Sequence, residues 1–215
     1  MMKLYFVRHG ESDANVQRVI SNRESTFHLT PQGQAQASML AENLKDIPIT
    51  AIYASPVLRA RETAEIVSQA FRLPYQVTEV LREYDCGILE EKSDEESWKL
   101  HSEIAEDWIL NHNYLRKPEG GESFLEIKQR FIPFIESFRN KGPRTLDHIL
   151  FVTHGGLLQL MLPEMLTNID HDFVRSHGIG HTHCIVVEHQ PGGFFCLQWG
   201  NTNLEGNRIR SAGDH

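Results

Sequence analysis

The chain has 215 residues, with 21 Lys and Arg against 29 Asp and Glu and a formal charge of −8. That length suits one α/β domain with a core large enough to hold a rigid site, and the negative balance disfavours nucleic acid as a partner while leaving room for a locally positive pocket. Three scattered cysteines, Cys86, Cys184 and Cys196, none in a CxxC pair, exclude a disulfide framework and suit structural thiols in a reducing compartment.

The first apolar run, KLYFV (3–7), is too short for a signal segment, and no stretch approaches a membrane span. A cytoplasmic protein without a membrane partner is the expectation. That same run lacks alternation and predicts a central strand covered on both faces. It ends on Arg8, His9 and Gly10. Next, LTPQGQAQASMLAENLKD (29–46) predicts a helix with Thr30 as N-cap and Pro31 at its first position, at the small cost of an early Gly33. ITAIYAS (49–55) reads as a strand stopped by Pro56, and VLRARETAEIVSQAF (57–71) as a helix.

YQVTEVL (75–81) reads as a third strand near an edge. Residues 82–117 carry weaker signals, with a helix expected around 95–110 and a solvated acidic face over 90–107. KPEGG (117–121) marks a turn, and ESFLEIKQRFIPFIESFRN (122–140) a helix that Pro133 bends or restarts. HILFVTH (148–154) is another buried strand, followed by a helix over 155–166. A PGG turn joins strands at 183–190 and 194–200. This alternation argues for an α/β fold with helices on both faces of a sheet and an antiparallel element near the end. One domain over 1–203 is expected, with 88–117 as a cap insertion and 204–215 as a loose polar tail.

Ligands of such sheets collect at the carboxyl ends of the parallel strands. Arg8, His9, Arg59, Glu83 and His154 all fall where a strand ends or the next element begins. Guanidinium forks match phosphoryl oxygens, an imidazole can attack phosphorus, and a carboxyl can protonate a departing alkoxide. Chemistry alone leaves Glu83 level with its rivals Glu79 and Asp85.

The ordered blocks RHGES with Asn15, LTPQGQAQA, YASPVLRARETAE, LREYDCG, PEGGES and VTHGG resemble the histidine phosphatase superfamily in its phosphoglycerate mutase-like branch. The resemblance implies a three-layer α/β/α sandwich with a mostly parallel sheet and an antiparallel edge element. It implies a phosphohistidine intermediate without a metal or organic cofactor. His9 matches the phosphorylated nucleophile, Arg8 and Arg59 the phosphate-binding arginines, Glu83 the proton donor, His154 the second core histidine and Asn15 a phosphate-pocket amide. Ser12 reads as a turn cap in preference to a phosphate ligand.

The chain departs from the family pattern after Asn15, where NVQRVISNRES stands in place of a glycine–arginine pair. Arg18 and Arg23 are candidate contacts to the substrate beyond its phosphate, balanced against a solvated loop. His181 is a candidate neighbour of the phosphate. Glu122 and Ser123 cap a helix or face the site, and Tyr84, Trp98, Trp108 and Tyr114 line a cap or fill the core. His171, His177, His181, His183 and Cys184 lie close in sequence but match no metal-site spacing, so no metal is expected. The reading favours a phosphatase of a small phosphorylated metabolite. A mutase would need a more cationic cap than the acidic stretch after Glu83, and a non-catalytic binding protein would not need His9 and Glu83. Nothing in the sequence specifies the oligomeric state, and a homodimer is left as an open expectation.

Overall fold

The computed structural model describes residues 2–23, 26–140 and 148–204. Its elements in chain order are β1 (Lys3–Arg8), α1 (Asp13–Val16), α2 (Pro31–Leu44), β2 (Ala51–Ala54), α3 (Leu58–Phe71), β3 (Tyr75–Val77), α4 (Glu95–Leu110), α5 (Phe124–Ser137), β4 (His148–Thr153), α6 (Gly155–Met161), α7 (His171–Ser176), β5 (Cys184–Gln190), β6 (Gly193–Trp199) and β7 (Thr202–Asn203).

The strands form one sheet in the order β3-β2-β4-β1-β5-β6-β7. From β3 to β1 neighbours run parallel, and from β1 to β7 they run antiparallel. β1 lies between β4 and β5, so its residues alternate between two buried faces rather than between core and water. Leu4 and Phe6 pack with Phe151, Phe131 and Trp108 beneath α4, α5 and α6. Tyr5 and Val7 pack with Leu150, Val152, Leu40 and Ala64 beneath α2 and α3. The result is the expected α/β/α sandwich.

Several boundaries differ from the sequence expectation for local reasons. The third strand stops at Val77 because the Thr78 hydroxyl accepts from the Val80 N–H and turns Glu79–Leu81 into a 3₁₀ helix. α5 runs unbroken through Pro133, which sits on the exposed side, and continues into a 3₁₀ turn at Phe138–Asn140. The helix after β4 ends at Met161, short of Pro163, and α7 was not anticipated. α4 spans Glu95–Leu110, with the Asp94 carboxylate capping the Ser97 N–H at 2.9 Å. Leu204, placed in the expected tail, is buried, and its N–H donates to Leu197 O at 2.8 Å; residues 205–215 of that tail lie outside the described residues.

Gly33, which reads as a mere helix cost, has a tertiary cause. A Cβ there would lie 2.0 Å from Glu11 O, and one on Gly10 would lie 2.6 Å from Gly33 O. Two glycines therefore let the first turn of α2 press directly against the turn after β1.

Candidate active site

β1 and β4 run in register to Arg8 opposite Thr153. The ladder continues one bond further, from His9 N–H to Thr153 O at 2.9 Å, and on the other side of β4 from Ser55 N–H to Val152 O at 3.0 Å. Three neighbouring strands thus deliver His9, Ser55 and His154 to one edge. α3 starts just beyond Pro56 and places the buried Arg59 between the two histidines.

His9 has a determined tautomer. A guanidinium can only donate, so the 2.9 Å bond from Arg59 Nε to His9 Nε2 requires a lone pair on Nε2. The other ring nitrogen, Nδ1, then carries the proton and donates to Gly10 O at 2.7 Å. Burial, followed by the nearby Arg59 charge and the neighbouring His154, holds the His9 pKa well below the ordinary imidazole value. The ring is neutral at pH 7. Gly10 is fixed in turn by its N–H bond to Thr63 Oγ1 at 3.1 Å, while that hydroxyl donates to Arg59 O at 2.8 Å.

His154 packs edge-on to His9, with ring centroids 5.1 Å apart. Its Nδ1 faces Arg59 Nη2 at 3.3 Å and accepts, so Nε2–H donates to Ser55 Oγ at 2.7 Å. Burial, then Arg59 and Arg130, push its pKa well down as well. Burial brings the Arg59 guanidinium down to about 10, which leaves it charged at neutral pH.

Arg8 donates from Nη1 to Ile179 O at 2.8 Å, and Gly155 leaves room for its side chain, since a Cβ there would sit 3.2 Å from Arg8 Cδ and Nε. Among the described residues, Arg8 Nε and Arg59 Nη1 are buried without a hydrogen-bond partner. An unmet buried donor costs about 1–3 kcal/mol, so two cationic ones on residues lining one cleft favour an anion there.

Glu83 is buried opposite them. Oε2 accepts from Gly156 N–H at 2.9 Å and Oε1 from Tyr84 N–H at 3.2 Å. Burial raises its pKa against the opposing pull of these N–H bonds and of Arg59. The rivals sit elsewhere: Glu79 is exposed, and Asp85 accepts from Arg23 Nε at 3.0 Å and from Gly87 N–H at 2.8 Å.

A cleft of about 440 Å³ opens over Arg8, His9, Arg59 and Glu83, with Asn15, Tyr84 and Trp98 on its walls. Asn15 Oδ1 is taken by the Ser12 N–H and hydroxyl at 3.0 and 2.9 Å, which matches the cap reading of Ser12 and leaves the amide nitrogen for a ligand. Arg18 and Arg23 are exposed and do not line the cleft, Arg23 being held by Asp85 and Gly120 O. His181 lies 6.0 Å from His9 between ring centroids, with Nε2 buried and unpartnered, and its pKa is lowered to about 4 chiefly by burial. Trp108 is wholly buried, and Tyr114 stacks on Phe124 at 4.9 Å.

Glu122 accepts from Arg82 Nη2 and from Arg130 Nε, each at 2.9 Å, and Ser123 caps α5 reciprocally with Glu126. The histidines at 171–183 disperse. His171 bonds Glu164, His177 stacks on Phe173, and His183 rests against Gly180 and Gly200. Among the described residues no group of His, Cys, Asp or Glu gathers as a metal site.

Ser55 and Thr63 were not singled out from the sequence. Thr63 had a usable signal, lying four residues after Arg59 on the same helix face. Ser55 had none, because its partner His154 is distant in the chain.

Residues 4–202 match the histidine phosphatase superfamily, branch 1. The chain belongs to that family. A relative from Escherichia coli, named as probable phosphoglycerate mutase GpmB, is 32% identical over 174 residues, covering 77% of this chain and 75% of that protein. The solved structure of Bacillus stearothermophilus YhfR is 29% identical with a TM-score of 0.77, covering 94% of this chain and 98% of that one. A mycobacterial glucosyl-3-phosphoglycerate phosphatase shares the fold at 22% identity, with a TM-score of 0.78 over 93% of this chain and 99% of its own.

Proposed function

We propose that His9 is the nucleophile of a two-step phosphomonoester hydrolysis, with Glu83 as the acid and then the base. The Nε2 lone pair, released from Arg59 Nε–H as that guanidinium turns to the phosphoryl oxygens, attacks phosphorus while the ester P–O bond breaks and Glu83 transfers its proton to the leaving oxygen. The Nδ1–H bond to Gly10 O steadies the positive charge that develops on the ring. In the second step ionised Glu83 takes a proton from water, the oxygen attacks phosphorus, and the P–N bond returns its electrons to Nε2. Arg8 Nε and Arg59 Nη1 supply the donors for the equatorial oxygens.

Asn15 and His181 border the same anion. His154 serves through Arg59, since a direct bond to a phosphoryl oxygen requires its proton to move from Nε2 to Nδ1. Arg18 and Arg23 take no part in holding the phosphate. The observation that carries the reading is the unprotonated, arginine-facing Nε2 of His9 beside two unmet guanidinium donors.

Hydrolysis is favoured over mutase chemistry by the rest of the cleft. Apart from Arg8 and Arg59, its described lining residues include no lysine or arginine, whereas a bisphosphorylated intermediate needs a second cationic cradle. Residues 88–117 act as the cap of a single domain, since Trp98 and His101 on α4 wall the cleft. A small phosphorylated metabolite is the partner, and nucleic acid is not. Free thiols at Cys86, Cys184 and Cys196 support a reducing, cytoplasmic setting; among the described residues no helix is long and apolar enough to cross a membrane.

Incubation with 4-nitrophenyl phosphate should give steady phosphate release and an acid-labile phosphoprotein on quenching. His9→Ala should abolish both, and His183→Ala should retain both. Undiminished phosphoprotein in His9→Ala would refute the assignment.

A further inference from the structure

We infer that the catalytic cleft continues into a second, apolar compartment that receives the far end of the substrate's alcohol, so that the preferred substrate is a phosphomonoester with no second anion beside the ester and with an apolar arm. This rests on the phosphatase reading and specifies its substrate class. The compartment measures about 340 Å³ and is walled by Ile109, Leu110, Leu160 and Val174. It shares Ala105, Glu106, Gln159 and Leu160 with the cleft, so the two are successive stretches of one trough.

The helix period shows the same continuity. His101 and Ser102 face the cleft, Ala105 and Glu106 stand at the junction, and Ile109 and Leu110 face the compartment. Steps of four residues keep these pairs on one stripe of α4, and at 1.5 Å per residue the stripe from 101 to 110 runs for about 13 Å. Opposite it, Gly155 and Gly156 of α6 border the catalytic end, and Gln159 and Leu160 follow a turn later. A bare phosphate would leave this length unused.

Charge narrows the occupant. Beyond Arg8 and Arg59 the next charged side chain along the trough is the exposed Glu106, which repels a second phosphate or carboxylate. At the far mouth His171 bonds Glu164 at 2.8 Å, and Arg175 lies 3.9 Å from Asp172. Neither side chain lines the catalytic end of the trough, so neither offers a partner to a second anion beside the ester. Between the junction and that mouth the walls offer mainly hydrocarbon, including Leu110, which is 50% exposed.

The test is a series of n-alkyl phosphates from ethyl to octyl, in which tail length changes while the reacting ester stays nearly constant. We expect kcat/KM to rise by about twofold or more per methylene, within the limit of about fourfold set by full transfer from water. In Leu110→Asp the octyl-to-ethyl ratio of kcat/KM should fall by at least about tenfold. A flat series with ethyl phosphate still hydrolysed would overturn the compartment and leave the phosphatase reading standing. A flat series together with a dimer that Leu110→Asp dissociates would assign the groove to a second copy of the chain, which also overturns it. No hydrolysis of any ester, with no phosphoprotein, overturns both.

Discussion

Glu83 shows how much one carboxyl depends on its surroundings. Beside two arginines it would ordinarily ionise early, yet burial outweighs them and raises its pKa. A proton is therefore available above the usual carboxylate range, and kcat/KM should decline as pH rises through that raised value. In Glu83→Gln this alkaline limb should vanish. Steady turnover of ethyl phosphate should drop by about 10²–10⁴. With 4-nitrophenyl phosphate, whose phenolate leaves without a proton, the variant should still release a single-turnover burst and then stall as phosphoprotein. Equal loss of burst and turnover would show that the acid lies elsewhere. The sequence motif named Glu83, whereas residue chemistry alone left it level with Asp85. The pairing of Asp85 with Arg23 supports Glu83 as the acid.

At the scale of elements, the segment carrying Glu83 hangs from α5. Arg130 donates from Nη1 to Val80 O at 2.6 Å and from Nη2 to Arg82 O at 3.1 Å, while Glu122 accepts from Arg130 and from the Asp85 N–H. This clamp replaces ladder bonds that the three-residue β3 does not provide. Arg130→Met should cost about 2 kcal/mol for the carbonyls and carboxylate left without a partner, lowering Tm by about 4–8 °C in a domain of this size. As a positioning residue it should also leave a kinetic mark. The ethyl phosphate rate should fall about tenfold further than the 4-nitrophenyl phosphate burst, because proton transfer depends steeply on alignment. A stability loss with no such leaving-group bias would make the clamp purely structural. The helix formed by Phe124–Ser137 was readable from its pattern, but its role in holding Glu83 was not, since the bonds span about forty to fifty residues of chain.

Across the whole molecule, the buried site makes stability depend on pH. In the unfolded chain His9 and His154 would protonate near the ordinary imidazole pKa of about 6.5, whereas burial and Arg59 hold both well below it in the fold. Between those values the unfolded state binds more protons, so stability falls as pH falls. Each ring contributes up to about 1.4 kcal/mol per pH unit across that window. Glu83 acts in the opposite sense, its raised pKa removing stability as pH climbs from the usual carboxylate value through the raised one. His101, His181 and His189 are lowered too and act in the same sense as the two rings, so the urea midpoint should drop between pH 7 and pH 5 at constant m-value. A midpoint that holds steady over that range would mean the rings are not buried as neutral imidazoles.

Neighbours within a few positions suffice to specify the strands that need two covered faces, the helices with clear caps and periods, and the residues that stand at strand ends, so these were legible in the amino-acid sequence. It also carried the family's ordered motifs. Tertiary structure alone decided that Arg59 bonds His9, that Ser55 and Thr63 orient the pair, that Gly33 must lack a side chain, and that Arg23 turns to Asp85. Each of those outcomes depends on which distant segments the sheet order makes adjacent, and no local propensity encodes that adjacency.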